Sequence, residues 1–296
     1  MHGDRIVLAR HVSAPAARDT VANLNARIRS WWGIVFVFGA ALLFGRVVTL
    51  VLFAILSFLS FREFMSLTPT RPGDHRSLFL SFFVVVPAQY WLIGIDWYGL
   101  VSIFIPVYVF LLLPALSAVA GDTNDFLARN AKLQWGLMLT VYAISYAPAL
   151  LLLDLPGYGL PNALLLLYLM VVVQISDVFQ YVFGKLFGRT KLSPAISPSK
   201  TVEGLLIGIV CAIVGVWFAS LYQPWLQKGD AVLIGVGVAI AAPIGDLFES
   251  FVKRQAGVKD SGRLFGAHGG ALDRLDATLF TVVVGYYVWL AILAHR

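Results

Sequence analysis

The sequence predicts an all-α, polytopic integral membrane protein with about nine transmembrane helices. Hydrophobic residues make up 59% of the 296 residues and charged residues only 13%, which is too little polar surface to cover a soluble domain. Apolar runs of roughly 15 to 22 residues, long enough to cross a hydrocarbon core of about 30 Å, recur along the whole chain. Basic residues also collect in alternate loops, as they do in membrane proteins.

The nine predicted spans follow one another with short connections. They cover residues 31–45, 47–61, 77–94, 98–118, 135–153, 160–182, 204–222, 231–248 and 276–294. Only Arg46 separates the first two, so they form either a hairpin of short helices or one long, tilted helix. The seventh and eighth spans carry several glycines, which favour close helix packing in lipid, so we expect both in the interior.

The chain divides into a cytoplasmic N-terminal segment, residues 1–30, and a single membrane domain, residues 31–296. Apolar residues at helical spacing behind Asp19 are typical of a short interfacial helix with Asp19 as its N-cap, and a disordered tail is an equally good interpretation. Ionisable residues near the spans concentrate after residue 175. We therefore expect a lipid-facing or oligomerising first half and catalytic elements within residues 170–290.

The basic residues indicate the orientation of the chain. With the N-terminus inside, the inside segments hold nineteen of the 22 Lys and Arg residues, and the outside keeps only Arg46, Lys228 and Arg296. This predicts a multi-pass protein of the cell inner membrane with its polar site facing the cytoplasm. The net charge of +6 follows from this bias and favours anionic lipid over nucleic acid as the partner.

Most of the polar chemistry lies in residues 250–276, between the last two spans. Asp273 and Asp276 share one face of a helix, and paired carboxylates are ligands that Mg²⁺ prefers. His268 precedes two glycines whose amides can turn toward a phosphate. The stretch also holds five cations, which are Lys253, Arg254, Lys259, Arg263 and Arg274. This composition is typical of a site for phosphates and metal.

Two neighbouring segments carry related groups. Asp246 lies near the end of the eighth span, and Ser250 or Glu249, then Lys253, follow on the same helical face. A carboxylate at that depth usually marks function, although Glu249 and Lys253 alone also fit a helix end that reaches water. Residues 191–204 suit a turn that contacts a phosphate and then caps a helix.

These motifs together resemble the signature of the phosphatidate cytidylyltransferase (CDP-diacylglycerol synthase) family. The matching residues are Ser250-x-x-Lys253-Arg254, Lys259-Asp260-x-Gly262, His268-Gly269-Gly270 and Asp273-Arg274-x-Asp276, preceded by Gly245-Asp246 and by a second block, Ser197-Pro198-x-Lys200-Thr201-x-Glu203-Gly204. The resemblance covers about residues 170–290.

The resemblance implies CMP transfer from CTP to phosphatidate, with release of pyrophosphate. It implies Mg²⁺ at Asp246 and Asp273, accompanied by a monovalent cation such as K⁺, with Asp276 and Lys253 as further catalytic residues. It also implies a homodimer that binds CTP, phosphatidate and the bilayer. The implied substrate-binding residues are Lys200, Thr201, Ser250, Arg254, Lys259, His268, Gly269, Gly270, Arg274, Asp177 and Tyr181.

The sequence departs from the family pattern at two places, at Ala271, where the family prefers a larger apolar residue, and more notably at residues 178–180. Val178-Phe179-Gln180 stands where the family commonly has small residues before the position of Tyr181, which predicts a reshaped pocket. A related CTP-dependent transferase or kinase acting on another lipid phosphate or on a polyprenol therefore remains an alternative, as does a non-catalytic relative. A transporter is a weaker alternative, because its broken helices would recur in both halves of the chain.

Overall fold

A computed structural model describes residues 15–153, 161–194, 196–220, 227–266 and 269–295. Over these residues each of the nine predicted spans lies on a helix, and seven helices are long and apolar enough to cross a membrane, while Ile28–Leu43 and Val202–Phe218 are shorter apolar stretches. The helices are α1 (Pro15–Leu43), α2 (Arg46–Ser66), α3 (Pro72–Gly94), α4 (Tyr98–Val119), α5 (Phe126–Leu152), α6 (Ala163–Phe187), α7 (Val202–Ser220), α8 (Lys228–Gln255) and α9 (Leu272–Ala294). The predicted polytopic helical fold is confirmed.

Gly45 separates the first two helices. Its φ of 95° lies in the region that favours glycine, and the hydroxyl of Thr49 donates to the carbonyls of Ala41 (2.9 Å) and Gly45 (3.1 Å), which closes the turn. The hairpin interpretation of these spans is therefore correct. Asp19 does not cap a separate interfacial helix, because α1 already includes residues from Pro15 onward.

The first half holds a buried charge cluster that the sequence did not predict. Helix α5 begins at Phe126, nine residues before the predicted boundary, so Arg129 belongs to a helix instead of a loop. Arg129 is buried and pairs with Asp74 (2.9 Å) and Asp122 (2.7 Å). Hydrogen bonds from Asn124 and the charge of Arg129 lower the pKa of Asp122. Ionisable groups are thus not confined to the second half.

A short hairpin connects α6 to α7, where the sequence predicted only a turn. Strands β1 (Lys191–Ser193) and β2 (Ser197–Thr201) pair antiparallel. The predicted cap of the next helix is confirmed, since the Thr201 hydroxyl accepts from the amide of Gly204 (3.2 Å).

The second half is a tightly packed bundle in which α8 contacts α7 and α9, and α6 contacts α7. Glycines make the close approaches: Gly208 lies against Gln180, Gly235 against Ile213, and Gly237 against Val284. Helix α7 is interior only on this glycine face. Its opposite face exposes four large apolar side chains, which are Leu206, Val210, Val214 and Phe218. The helix is therefore not the fully interior span that the sequence predicted.

Candidate functional site

Three helices of the second half bring carboxylates together. Asp177 on α6, Asp246 on α8 and Asp276 on α9 lie within electrostatic range of one another. Gly245 makes this possible, because a Cβ at that position would collide with the backbone carbonyl of Asp276. The backbones of α8 and α9 therefore approach each other closely beside the acidic side chains. We call Asp177, Asp246 and Asp276 the acidic cluster.

Two lysines border the acidic cluster. Lys200 on β2 forms an ion pair with Asp246, so the hairpin is tied to α8. On α8 itself, Lys253 pairs with the buried Glu249 one turn before it, and the Ser250 hydroxyl lies 3.4 Å from Asp246. The predicted alignment of these side chains along α8 is confirmed.

Asp273 has a different environment from the acidic cluster. One of its oxygens, Oδ1, accepts from Lys253 Nζ at 2.8 Å. Its Oδ2 accepts from the Ser261 amide (2.8 Å), the Ser261 hydroxyl (2.9 Å) and the Gly270 amide (2.7 Å). Asp273 is therefore a buried anchor for the segment between α8 and α9.

The glycines of the predicted phosphate nest contact protein groups. Gly269 has a φ of +82°, a conformation that favours glycine, and a Cβ there would collide with Asp273. Its amide donates to the Gly266 carbonyl at 3.2 Å. The next amide, that of Gly270, donates a hydrogen bond to the Asp273 carboxylate. The sequence had predicted a substrate phosphate as the partner of this amide.

Sequence reasoning missed Glu63, near the end of α2. Its carboxylate accepts hydrogen bonds from the Leu272 amide (2.9 Å) and the Ser261 hydroxyl (3.2 Å). A residue of the first half therefore contacts residues 250–276, which we call the signature segment. The available sequence signal was a carboxylate just beyond a predicted span, and this equally describes a solvated helix end.

Four further residues that we predicted to bind substrate are exposed at the surface: Arg254, Lys259, Arg274 and Tyr181. Arg254 is exposed and donates to the Ile196 carbonyl (3.2 Å), which holds the tip of the hairpin. Lys259 and Arg274 are exposed, and Arg274 lies in electrostatic range of Asp177 and Asp276. Tyr181 is 57% exposed, with the Lys185 ammonium over its ring. The predicted His268 lies outside the described residues.

The three residues that depart from the family pattern, 178–180, have different surroundings on α6. Val178 is 58% exposed, and the rings of Phe179 and Phe183 lie 5.9 Å apart along α6. Gln180 donates to the Ser176 hydroxyl (3.0 Å) and packs against Gly208 of α7. Gln180 therefore fills the contact between α6 and α7, whereas Val178 is exposed.

The sequence matches the profile of the cytidylyltransferase family over residues 25–292. The chain belongs to this family. It is 37% identical to the uncharacterized protein YnbB of Escherichia coli over 265 residues, which cover 90% of this chain and 87% of that protein.

Two further members of the cytidylyltransferase family are similar over shorter segments. The phosphatidate cytidylyltransferase of Aquifex aeolicus is 41% identical over 146 residues, 49% of this chain and 55% of that protein. The phosphatidate cytidylyltransferase of Helicobacter pylori is 39% identical over 183 residues, 57% of this chain and 68% of that protein. The chain thus spans about half the length of the Aquifex relative.

The donor set of this cytidylyltransferase-family site fits a hard divalent cation. In the part of the chain that the structure describes, no three Asp, Glu, His or Cys side chains form a ready-made metal cage. Over the same residues, however, Asp177 and Asp276 take part in no ion pair, while both lie within electrostatic range of Asp246. Adjacent carboxylates repel one another, and Mg²⁺ commonly takes one or two protein carboxylates, with water and substrate phosphate completing its shell.

Proposed function

We propose that this protein is a phosphatidate cytidylyltransferase, which transfers CMP from CTP to phosphatidate. The observation that carries the proposal is the acidic cluster, whose three carboxylates lie within electrostatic range of one another, with Lys200 paired to Asp246 and Lys253 paired to Asp273 next to it, in a bundle of helices long enough to span a membrane. An acidic cluster bordered by lysines at the membrane boundary suits a reaction between a soluble triphosphate and a lipid phosphate.

In the proposed reaction, a phosphate oxygen of phosphatidate attacks the α-phosphorus of CTP. The bond from that phosphorus to the oxygen bridging to the β-phosphate breaks, and pyrophosphate leaves with the electron pair. CDP-diacylglycerol remains in the membrane. Because the attacking group is already an anion, the protein's task is to align the two phosphates and to offset their charge.

We propose Mg²⁺ as the cofactor, with a monovalent cation such as K⁺ beside it. The ion would be held by Asp246 and Asp276, with Asp177 nearby. The predicted ligand Asp273 is less available, because its side chain is buried and its Oδ2 alone accepts three hydrogen bonds, whereas the Asp246 side chain is 33% exposed. Bound Mg²⁺ would neutralise phosphate charge and make the α-phosphorus more electrophilic.

The cations then bind the phosphates. Lys200 is paired with Asp246, and Lys253 is paired with Asp273. Either lysine can exchange its carboxylate partner for a phosphate oxygen. Arg274 lies exposed near the acidic cluster, and Arg254 and Lys259 lie exposed on the signature segment, where the charged tail of CTP would enter.

We further propose a location in the inner membrane, with the acidic cluster facing the cytoplasm, and a homodimer. The location follows from the bias of basic residues and from the need for cytoplasmic CTP. The dimer follows from the family resemblance and accords with the exposed apolar faces of α1 and α2.

A second candidate is CMP transfer to a different lipid phosphate. It is favoured by the alignments: similarity to YnbB covers 90% of this chain, whereas similarity to the Aquifex phosphatidate cytidylyltransferase covers 49%. The lipid-facing first half therefore has a close counterpart in a relative whose name states no substrate.

One assay tests both candidates. Purified protein in detergent is given labelled CTP, Mg²⁺ and, one at a time, phosphatidate, a polyprenyl phosphate or lysophosphatidate, and the lipid product is identified by mass. We expect CDP-diacylglycerol with release of pyrophosphate, and no product from an Asp246→Asn variant that retains its thermal unfolding midpoint. A CDP-lipid formed from another acceptor only would support the second candidate, and no CDP-lipid from any acceptor would refute both.

A further inference from the structure

Glu63 connects the two halves of the molecule at the signature segment. It lies on α2, 209 residues before Leu272, whose amide donates to Glu63 Oε2 at 2.9 Å. Leu272 is the first residue of α9, and the first amides of a helix have no partner within it. Glu63 thus caps α9 from another helix, and its negative charge is favourable at that end of the helix dipole.

The signature segment is shaped around this carboxylate. A Cβ at Gly262 would lie 2.5 Å from Glu63 Oε1, and a Cβ at Gly270 would collide with Glu63 Oε2. Both glycines therefore allow the backbone to approach the carboxylate from two sides. Such close approach is a reason for glycine that is separate from phosphate binding.

Ser261 links Glu63 to Asp273. Its hydroxyl lies 3.2 Å from Glu63 Oε2 and 2.9 Å from Asp273 Oδ2, while Asp273 Oδ1 is 2.8 Å from Lys253. A continuous line of contacts therefore runs from α2 through Ser261 to α9 and α8. Moving Glu63 would disturb the first turn of α9, which carries Asp273 and is followed directly by Asp276.

We propose that Glu63 is a positioning residue for CMP transfer. It fixes the start of α9 and the segment 261–272, and so sets where Asp276 stands relative to Asp246. This inference rests on the proposed function, because the positioned residues are those that we assign to Mg²⁺ and CTP. Glu63 itself touches neither in this assignment.

The test uses Glu63→Ala, Glu63→Gln and, as a matched control on the same helix turn, Arg62→Gln, whose side chain is exposed. Hydrogen exchange of residues 261–272 in the full-length protein measures the contact without any substrate. We expect faster exchange of this segment in Glu63→Ala, a smaller increase in Glu63→Gln, whose amide oxygen still accepts from Leu272, and wild-type exchange in Arg62→Gln.

Steady-state kinetics measure the consequence. We expect kcat/KM for CTP to fall about 10- to 100-fold in Glu63→Ala, as for other residues that orient metal ligands, and the Mg²⁺ concentration for half-maximal rate to rise. KM for the lipid phosphate should stay near its wild-type value, and Glu63→Gln should recover part of the loss. General unfolding would instead lower the active fraction without changing KM for CTP or the Mg²⁺ requirement.

The two measurements separate failure of this inference from failure of the proposed function. Unchanged exchange in Glu63→Ala would refute the positioning contact even if no variant had activity. Faster exchange with wild-type values of kcat, KM and Mg²⁺ requirement would show that the contact exists and does not serve catalysis, which also overturns the proposal. A wild-type protein that forms no CDP-lipid would refute the proposed function and, with it, the catalytic role of Glu63.

Discussion

At the scale of single residues, Asp273 and Asp276 show how neighbouring carboxylates take different roles. They stand three residues apart on α9, and the sequence alone could only predict that they share a face. In the structure Asp273 is nearly fully buried and accepts from Lys253, Ser261 and Gly270, while Asp276 takes part in no ion pair and lies within electrostatic range of Asp246. We therefore assign anchoring to the first and metal binding to the second.

Substituting each residue separates these roles. In Asp273→Asn, the partly buried Lys253 keeps only Glu249 as partner, and an amide group faces the donors of Ser261 and Gly270. We expect the free energy of unfolding to fall by about 3–5 kcal/mol, the loss typical of a broken buried pair. Thermal unfolding in detergent measures this change, and activity should be lost with it.

In Asp276→Asn, by contrast, we expect a nearly unchanged unfolding midpoint. The Mg²⁺ concentration for half-maximal CMP transfer should rise about 10- to 100-fold, because a ligand oxygen loses its charge. Titration of activity with Mg²⁺ provides the measurement. If Asp276→Asn lost as much stability as Asp273→Asn and kept its Mg²⁺ requirement, the division of roles would be wrong.

At this scale the sequence predicted identities better than contacts. It indicated Asp246, Lys253 and Asp273 because carboxylates and amines near membrane spans are rare and costly. It could not assign partners, because two of the donors to Asp273, Ser261 and Lys253, lie twelve and twenty residues away along the chain. Glu63 was missed for the same reason, since its partners lie about 200 residues further along the chain.

At the scale of elements, the length of the apolar runs predicted every helix of the described chain. The predicted helix ends were wrong where polar residues belong to the helix. Helix α5 begins nine residues before its predicted start. The prediction placed Arg129 in a loop because it is charged, but Arg129 lies in the helix and is buried against Asp74 and Asp122. The hairpin formed by β1 and β2 has no hydrophobic alternation, so its pairing was not predictable from periodicity.

The Arg129 cluster should matter for stability and not for chemistry. In Arg129→Met, Asp74 and Asp122 lose their partner near the start of α3 and α5, and we expect the free energy of unfolding to fall by about 3–5 kcal/mol. The control is Arg71→Met, which breaks an exposed pair with Asp125 and should change it by about 0–1 kcal/mol.

Thermal unfolding measures both variants, and kcat at a low temperature should remain close to that of the wild-type protein. Because the pKa of Asp122 is lowered in the folded protein, the stability that ionised Asp122 contributes should be present at neutral pH and lost as the pH falls through that lowered pKa. Equal losses in the Arg129 and Arg71 variants would show that burial of the pair is unimportant.

At the scale of the whole molecule, the two halves form one functional unit. From composition we expected the catalytic residues in the second half and a lipid-facing first half. The sequence of an apolar helix does not indicate which distant residues the helix contacts. Glu63 joins α2 to α9, and helices α5 and α9 pack together. The division by composition therefore describes where the reactive groups lie, and not which elements the reaction requires.

The orientation of the molecule yields the last prediction. Short connections alternate between the two sides of the bundle, and the hairpin with Lys191 lies on the side predicted to be cytoplasmic, whereas the turn at Asp96 between α3 and α4 lies on the opposite side. Cys211 is the only cysteine, so a Cys211→Ala background allows single cysteines to be placed at Asp96 and Lys191. Both positions are exposed.

A membrane-impermeant maleimide should label Asp96→Cys in intact spheroplasts and label Lys191→Cys only in inverted membrane vesicles. The physical reason is that nineteen of the 22 basic side chains would otherwise stand on the outer face, against the usual insertion bias, and the acidic cluster would face a compartment without CTP. Labelling of Lys191→Cys from outside would place Lys200 and Lys253 on the wrong side for a cytoplasmic nucleotide, and the proposed transfer reaction would then lack its donor.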